Sequence, residues 1–517
     1  MTLPDWLTGL PDPQRMRATD AWAIEERGIP GLDLMERAGQ GLADADTAMA
    51  PGGPVAVVCG KGNNGGDGYV AARLLRDSGL AVRTLAAAPV DELRGDARAS
   101  AERVEGIEPF DPARLAGCAV AVDALLGTGF AGTPHGSIAG AISALNAAAL
   151  PVVAADVPSG VDAATGVVEG EAVQATVTAT FAAAKPGLWI DPGKSHAGAV
   201  RVVDIGIPPG APVDEPDVGL IDDDRLLALL SSRAAGWTKF TSGHVLVAGG
   251  SRGLTGAPSL SAEAAQRAGA GYVTACVPAS LETIFEVRLL EAMTRGLPDD
   301  DGAHTAAGVE PVLELAARAG ALVVGPGIGR TEGAFAFARD LVGRAEVALV
   351  LDADGLNAHA GDLAALTARS APTVLTPHEG ELGRLLGVDS DEVKARRLEH
   401  ARAAAAQSQA IVLLKGDDTL VAEPGGLVAV SPGATGALAT AGTGDVLTGV
   451  VAAMLARGMD PFAATCAGMR LHARAGIRAA REKGVDGVIA RDVVEALPHA
   501  RQRPFSTLPS NGLREGR

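Results

Sequence analysis

The stretch VAVVCGKGNNGGDGYVAARLLRD, Val55 to Asp77, decides how the chain reads. A five-residue apolar run, Val55 to Cys59, has the length and β-branched content of a buried strand. The glycine-rich turn Gly60 to Gly68 follows at once, and Tyr69 to Asp77 carries a helical pattern. A strand, a glycine turn and a helix in that order form the opening of a parallel α/β unit. There, backbone N–H groups at the helix start can meet an anion. A second, unlike loop with the same logic, ATAGTGDVLTG at Ala439 to Gly449, lies near the other end of the chain and also carries an aspartate, Asp445. Two such loops predict two active sites.

Working outward, the β-loop-α pattern repeats on both sides of a break. Leu80 to Leu85, Ala119 to Leu126 and a strand ending in Asp156 follow the first loop. The series HVLVA from His244, YVTACVP from Tyr272, ALVVGPGIG from Ala321, VALVLDADG from Val347, TVLTPHEG from Thr373 and AIVLLKGDDTLV from Ala410 precedes the second, whose glycines open a long helix. Between them IPPGAPVDEP, Ile207 to Pro216, holds four prolines and interrupts the periodicity, followed by an amphipathic helix in DDRLLALL. This predicts an α/β protein of two domains, residues 1–207 and 236–500, with a linker at 208–235 and a frayed polar tail at 501–517. Ligands are expected at the carboxyl ends of the parallel strands.

Composition fits and excludes. A chain of 517 residues exceeds one core, and 67 glycines with 3% aromatics suit α/β layers with many close-approach loops. A formal charge of −18 excludes a nucleic-acid partner, which needs clustered cations. The four cysteines lie far apart without C-x-x-C spacing, the pattern of reduced thiols. The opening MTLPDWLTGLPDPQR has no basic region before an apolar run, and no uninterrupted apolar span suits a membrane, so a cytoplasmic protein is expected. GKGNNG satisfies the dinucleotide fingerprint, yet the second strand ends in Ala86, Ala87 and Ala88 where a ribose-binding acid would stand, which argues against ordinary hydride transfer. GLWIDPGKS, Gly187 to Ser195, misses the phosphate-loop spacing by one residue and reads as a chance turn.

Taken together, GNNGGDG, VDALLGTG (Val122 to Gly129), DVPSGVDAATG (Asp156 to Gly166) and KPGL (Lys185 to Leu188) resemble, in order and spacing, the NAD(P)H-hydrate epimerase family over about residues 14–207. The upstream RATDAWAIEERGIPGLDLMERAG is similar to that family's opening helices, with Arg37 where an asparagine is common. The resemblance implies a Rossmann-like αβα sandwich, with a potassium ion held by Asn64, Asp123 and Ser159, oxygen donors suited to a hard cation. Further implied are substrate contacts by Asn63, Asn64, Gly65, Gly66 and Asp67 and by Gly127, Thr128, Gly129, Phe130, Ala131, Gly132 and Thr133. Asp156 is implied as the acid beside the nicotinamide that relays a proton during inversion at carbon 6. For Asp123 and Asp156 the plain alternative is helix or turn capping.

The second half resembles a different family, the ribokinase-like ADP- or ATP-dependent NAD(P)H-hydrate dehydratases. GHVLVAGGSRGLTGAPSLSAEAAQRAGAGYVT (Gly243 to Thr274), GPGIG, DADGLNA, TPHEGELGRL, KGDDT and AGTGDVLTG carry it over residues 236 to about 496. It implies nucleotide contacts by Lys415, Gly416, Asp417, Asp418, Thr419 and Gly444, and hydrate contacts by Ala257, Gly327, His378 and Asp445. Asp445 is then the base that takes the proton of the attacking hydroxyl, with Mg²⁺ arriving on the nucleotide. The bland readings are a helix cap for Asp445 and a structural histidine for His378. The joint expectation is a bifunctional, homo-oligomeric repair enzyme. It would epimerise the R and S hydrates of NADH and NADPH and dehydrate the S form at the expense of ADP, or of ATP. The alternatives are a hydroxymethylpyrimidine- or thiazole-type kinase with a regulatory first domain, which would leave a stable phosphorylated product, and a first domain serving only as a scaffold.

Overall fold

The computed structural model describes residues 3–49, 52–213, 215–230 and 236–501. They form two compact units, the first comprising Gly9–Val218 and the second Gly219 onward together with Pro4–Thr8 from the start of the chain.

The first unit is built on a seven-stranded, wholly parallel sheet. Its spatial order is Ile107–Pro109, Val82–Ala86, Val55–Cys59, Val120–Ala124, Val152–Ala155, Val177–Phe181 and Ala199–Val203. Alternation along the first strand explains the layers. Val55, Val57 and Cys59 face the helices Gly31–Thr47 and Asn63–Asp77, while Ala56 and Val58 join Ile142 and Leu145 of Gly136–Ala147 on the other side. Every residue of this strand is fully buried, as a strand covered on both faces requires. The order reverses direction between Val55–Cys59 and Val120–Ala124, and the loops leaving those two strands splay apart to open a crevice.

The second unit carries an eleven-stranded sheet. Its parallel part runs Ile411–Leu414, Thr373–Leu375, Ala348–Leu351, Ala321–Val324, His244–Ala248, Tyr272–Pro278 and Met293–Leu297. Leu420–Ala422 and Val428–Val430 extend it antiparallel, so the KGDD segment is the turn of a hairpin. The helices Gly256–Ala268 and Thr443–Ala456 pack closely because Gly449 leaves no room for a Cβ against the Ser261 carbonyl.

Three expectations change. The interval 208–235 is not all linker: Val218–Ile221 is a strand of the second sheet and Asp223–Ala228 a helix, because Val218, Ile221, Leu226 and Leu227 alternate into a core. Leu7–Gly9 pairs beside that strand, so part of the segment assigned to the first domain lies in the second sheet. The helix that follows the first glycine loop begins at Asn63 rather than Tyr69, taking most of the glycine turn into its opening turns. Residues 502–517, most of the expected tail, lie outside the described residues, as do 231–235 of the linker. Among the described residues no helix is long and apolar enough to cross a membrane.

Candidate active sites

At the carboxyl edge of the first sheet lies a cavity of about 820 Å³. The loop after Val55–Cys59 and the start of the next helix supply Gly62, Asn63, Asn64 and Asp67, and the loop after Val120–Ala124 supplies Gly127, Thr128, Gly129 and Phe130. Asp156 follows Val152–Ala155, and the helix Pro13–Glu25 brings Asp20 to the same wall. Gly65 and Gly66 of the expected substrate loop have no room for a side chain. A Cβ at Gly65 would overlap the Gly60 carbonyl, and one at Gly66 would sit 2.6 Å from the Met35 sulfur. Thr133 lies beside Gly170, whose added Cβ would meet its Cγ2 at 3.2 Å. The same loop also carries Ala131 and Gly132, the latter at φ 88°.

Asp156 adopts φ 64°, a left-handed conformation that side chains other than glycine rarely take. Its Oδ1 accepts from the Lys185 ammonium, from Thr180 Oγ1 at 3.2 Å and from the Phe181 amide at 3.2 Å. Lys185 is 1% exposed and donates further to Thr180 Oγ1 and the Phe181 carbonyl, each at 2.9 Å. Sequence reasoning gave neither Lys185 nor Asp20 a role. Lys185 stood inside the KPGL motif, which was the available signal, whereas the reach of Asp20 into the cavity has no local signature.

Beside the cavity, Asp123 is wholly buried and accepts from Ser159 Oγ at 2.6 Å, the Ser159 amide at 2.8 Å and the Leu125 amide at 3.2 Å. Burial pushes its carboxyl up to about 6, against those three hydrogen bonds. Asn64 donates through Nδ2 to the Leu126 carbonyl at 2.8 Å, and its Oδ1 is buried with no partner. A buried carboxylate without a counter-cation and an unsatisfied amide oxygen are what a monovalent cation would relieve, so the three residues fit that ion.

In the second unit the order reverses between Ala321–Val324 and His244–Ala248, and the segments following those strands bring Gly327 and Ala257 together. A Cβ on Gly327 would stand 3.3 Å from that of Ala257. Asp445 occupies the first turn of Thr443–Ala456, a helix start whose N–H groups have the chemistry to bind an anion. Burial, then Asp352, raise its carboxyl to about 7, with Lys415 pulling the other way. Lys415 Nζ lies 3.0 Å from Asp352 Oδ1 and 3.5 Å from Glu381 Oε2, and Thr448 Oγ1 donates to Asp352 Oδ2 at 2.7 Å. Gly444 lies against this group: an added Cβ would be 3.6 Å from Lys415 Nζ.

The KGDDT turn is pinned from inside. Arg397, 2% exposed, donates to Asp418 at 2.9 Å and to the Lys415 carbonyl at 3.1 Å and pairs with Glu379. Asp418 therefore turns to Arg397, Thr419 Oγ1 bonds the Gly416 carbonyl at 2.6 Å, and Asp417 accepts from the Ala434 amide at 3.2 Å. A Cβ on Gly416 would overlap the Arg397 guanidinium, which explains the glycine. His378 caps Glu379–Leu386, its Nδ1 accepting from the Gly380 amide at 3.0 Å, and stays half exposed. Asp352, Glu381 and Arg397 were not singled out from sequence, although the first two sit in the quoted DADG and TPHEGE motifs.

Two doubly wound units, each with an acid beside a glycine-shaped helix start at its switch point, define a two-site α/β enzyme for nucleotide-like ligands. Residues 31–187 match the family described as YjeF-related protein N-terminus, and residues 245–499 match NAD(P)H-hydrate dehydratase. A Moorella thermoacetica protein named bifunctional NAD(P)H-hydrate repair enzyme Nnr is 40% identical across 94% of this chain and 95% of its own. A Salinibacter ruber protein of the same name is 39% identical over 95% of each. A solved Bacillus subtilis ADP/ATP-dependent NAD(P)H-hydrate dehydratase, co-crystallized with ATP/Mg²⁺, is 31% identical over 54% of this chain and 96% of its own, with a TM-score of 0.47. The chain belongs to the family of bifunctional NAD(P)H-hydrate repair enzymes.

Proposed function

We infer that this protein restores hydrated nicotinamide cofactors, epimerising the R and S hydrates of NADH and NADPH in its first unit and dehydrating the S hydrate in its second. The observation that carries the reading is that the bifunctional relatives match across both units, each of which keeps its own acid at the sheet's carboxyl edge. An epimerase joined to a stereospecific dehydratase lets both epimers be consumed.

In the second unit, Asp445 takes the proton of the 6-hydroxyl as that oxygen attacks the terminal phosphorus of ADP. The phosphorus–oxygen bond to the nucleotide breaks and AMP leaves. Phosphate is a better leaving group than hydroxide, so the phosphorylated hydrate expels it, loses the C5 proton and becomes the dihydronicotinamide. The N-terminal amides of Thr443–Ala456 and the Lys415 ammonium hold the phosphate charge. Magnesium belongs to the nucleotide co-substrate and neutralises part of that charge. ADP is the proposed donor, with ATP able to serve by the same chemistry.

In the first unit, Asn64, Asp123 and Ser159 would hold potassium, whose positive charge would offset the buried Asp123 carboxylate. Homo-oligomeric assembly and a cytoplasmic setting belong to the same proposal, the latter supported by four cysteines that are all free and buried. The test is recovery of absorbance at the reduced-nicotinamide band from an epimer mixture, with each nucleotide in turn. Full conversion with AMP and phosphate as co-products is expected with ADP. A stable phosphorylated product would return the second unit to the small-molecule kinases.

A further inference from the structure

Among the ionisable groups that line the cavity of the first unit, Asp20, Asp67, Asp156 and Lys185 act on one another. Three carboxyls face one ammonium, and the geometry divides the work among them. Lys185 has three protons and three acceptors within reach, Asp156 Oδ1, Thr180 Oγ1 and the Phe181 carbonyl, so it has none to spare for a ligand. All the donors to Asp156 converge on Oδ1, which leaves Oδ2 to meet a substrate. Asp67 sits one helical turn beyond Asn64, lines the same cavity and is 8% exposed.

We propose that Asp67 is the general acid of the epimerase site and that Asp156, aimed by Lys185, is its base, an assignment that rests on the epimerase reading above. Burial, reinforced by Asp156 and Asp20 and opposed by Lys185, holds the Asp67 carboxyl well above the usual carboxylate range, which favours its protonated, proton-donating form. That proton goes to the 6-hydroxyl of the hydrate. The C6–O bond breaks with its electron pair on oxygen, water departs, and the ring nitrogen lone pair stabilises the cationic C6. Water then adds back to either face, forming the new C6–O bond, while Asp156 accepts its proton. A proton passing from Asp156 back to Asp67 through solvent closes the cycle. Lys185 is a positioning residue: it fixes the carboxylate of a backbone held in a left-handed conformation.

The experiment uses the full chain and a mixed-epimer hydrate in ¹⁸O-water. Asp67→Asn should lower the epimerisation kcat by roughly 10²–10⁴ with hydrate affinity retained and dehydration of S hydrate intact, and Asp67→Glu should recover part of the loss. Lys185→Met should lower kcat, and Lys185→Arg should restore part of it. In the wild type, solvent ¹⁸O should enter the hydrate as fast as the epimers interconvert. This measurement needs no variant, so it still decides the matter if Asp67→Asn does not fold. Label entering far more slowly than epimerisation, or near-normal epimerisation by Asp67→Asn, overturns the proposal. A wild type that does not epimerise at all overturns the epimerase reading itself.

Discussion

The two glycine-rich loops look alike on paper and differ in what their glycines do. In GNNGGDG, Gly62 caps the helix in open space, but the three glycines inside the helix are there for contact: Gly65 meets the Gly60 carbonyl, Gly66 the Met35 sulfur, and Gly68 would place a Cβ 2.6 Å from that of Ala124. In AGTGDVLTG, Gly442 takes φ 89° to start the helix, Gly444 has ordinary space toward Lys415 at 3.6 Å, and Gly449, at the far end of the motif, is a contact glycine, against the Ser261 carbonyl. The first loop trades side chains for close packing against strand and helix, and its one acid, Asp67, lines the cavity from the opening of that helix. The second uses glycine to launch a helix with Asp445 in its first turn. One residue type serves two physical needs, and composition cannot tell them apart.

The strongest way to break the comparison is at its acids. Asp445→Asn should cost the dehydration reaction roughly 10²–10⁴ in rate and leave epimerisation unchanged, because the amide cannot take the hydroxyl proton. A variant with full ADP-dependent turnover would remove Asp445 as the base. Next comes space. Gly65→Ala should destabilise the first unit by about 1–3 kcal/mol in denaturant unfolding, since the methyl meets fixed backbone. Gly444→Ala should leave stability unchanged or raise it by up to about 1 kcal/mol, as alanine does within a helix, while weakening nucleotide binding. Equal destabilisation by both would erase the distinction.

The proposed cation offers a third way to separate the units. Asp123→Ala, or replacing potassium by a bulky organic cation, should slow epimerisation by about tenfold or more, on the scale of losses at metal sites, and leave consumption of pure S hydrate untouched. Indifference to both changes would exclude the ion. The smallest effect is titrational. With the Asp445 carboxyl raised to about 7, dehydration at low substrate should climb with pH, about tenfold per unit well below that value, and level off above it. The sign for stability is opposite. A raised carboxyl pKa favours the fold below the unfolded value, and that contribution is lost as pH rises through about 7, so the second unit should unfold slightly more easily at pH 8 than at pH 5.

What the sequence determined by itself is what local pattern can encode. Apolar runs bounded by glycine turns place Val55–Cys59 and His244–Ala248, and the acids Asp156 and Asp445 stand at the ends of elements where ligands gather, because strand length, helix period and turn chemistry act over a few residues. Only the tertiary structure decided which distant groups meet. Lys185 reaches Asp156 across 29 positions, and Arg397 reaches Asp418 across 21. Asp20 enters the cavity from a separate helix, and Leu7–Gly9 joins a strand more than two hundred residues later. Those pairings are set by how layers stack and strands order in a sheet. Burial then fixes the charge each acid carries, and no window of sequence contains that information.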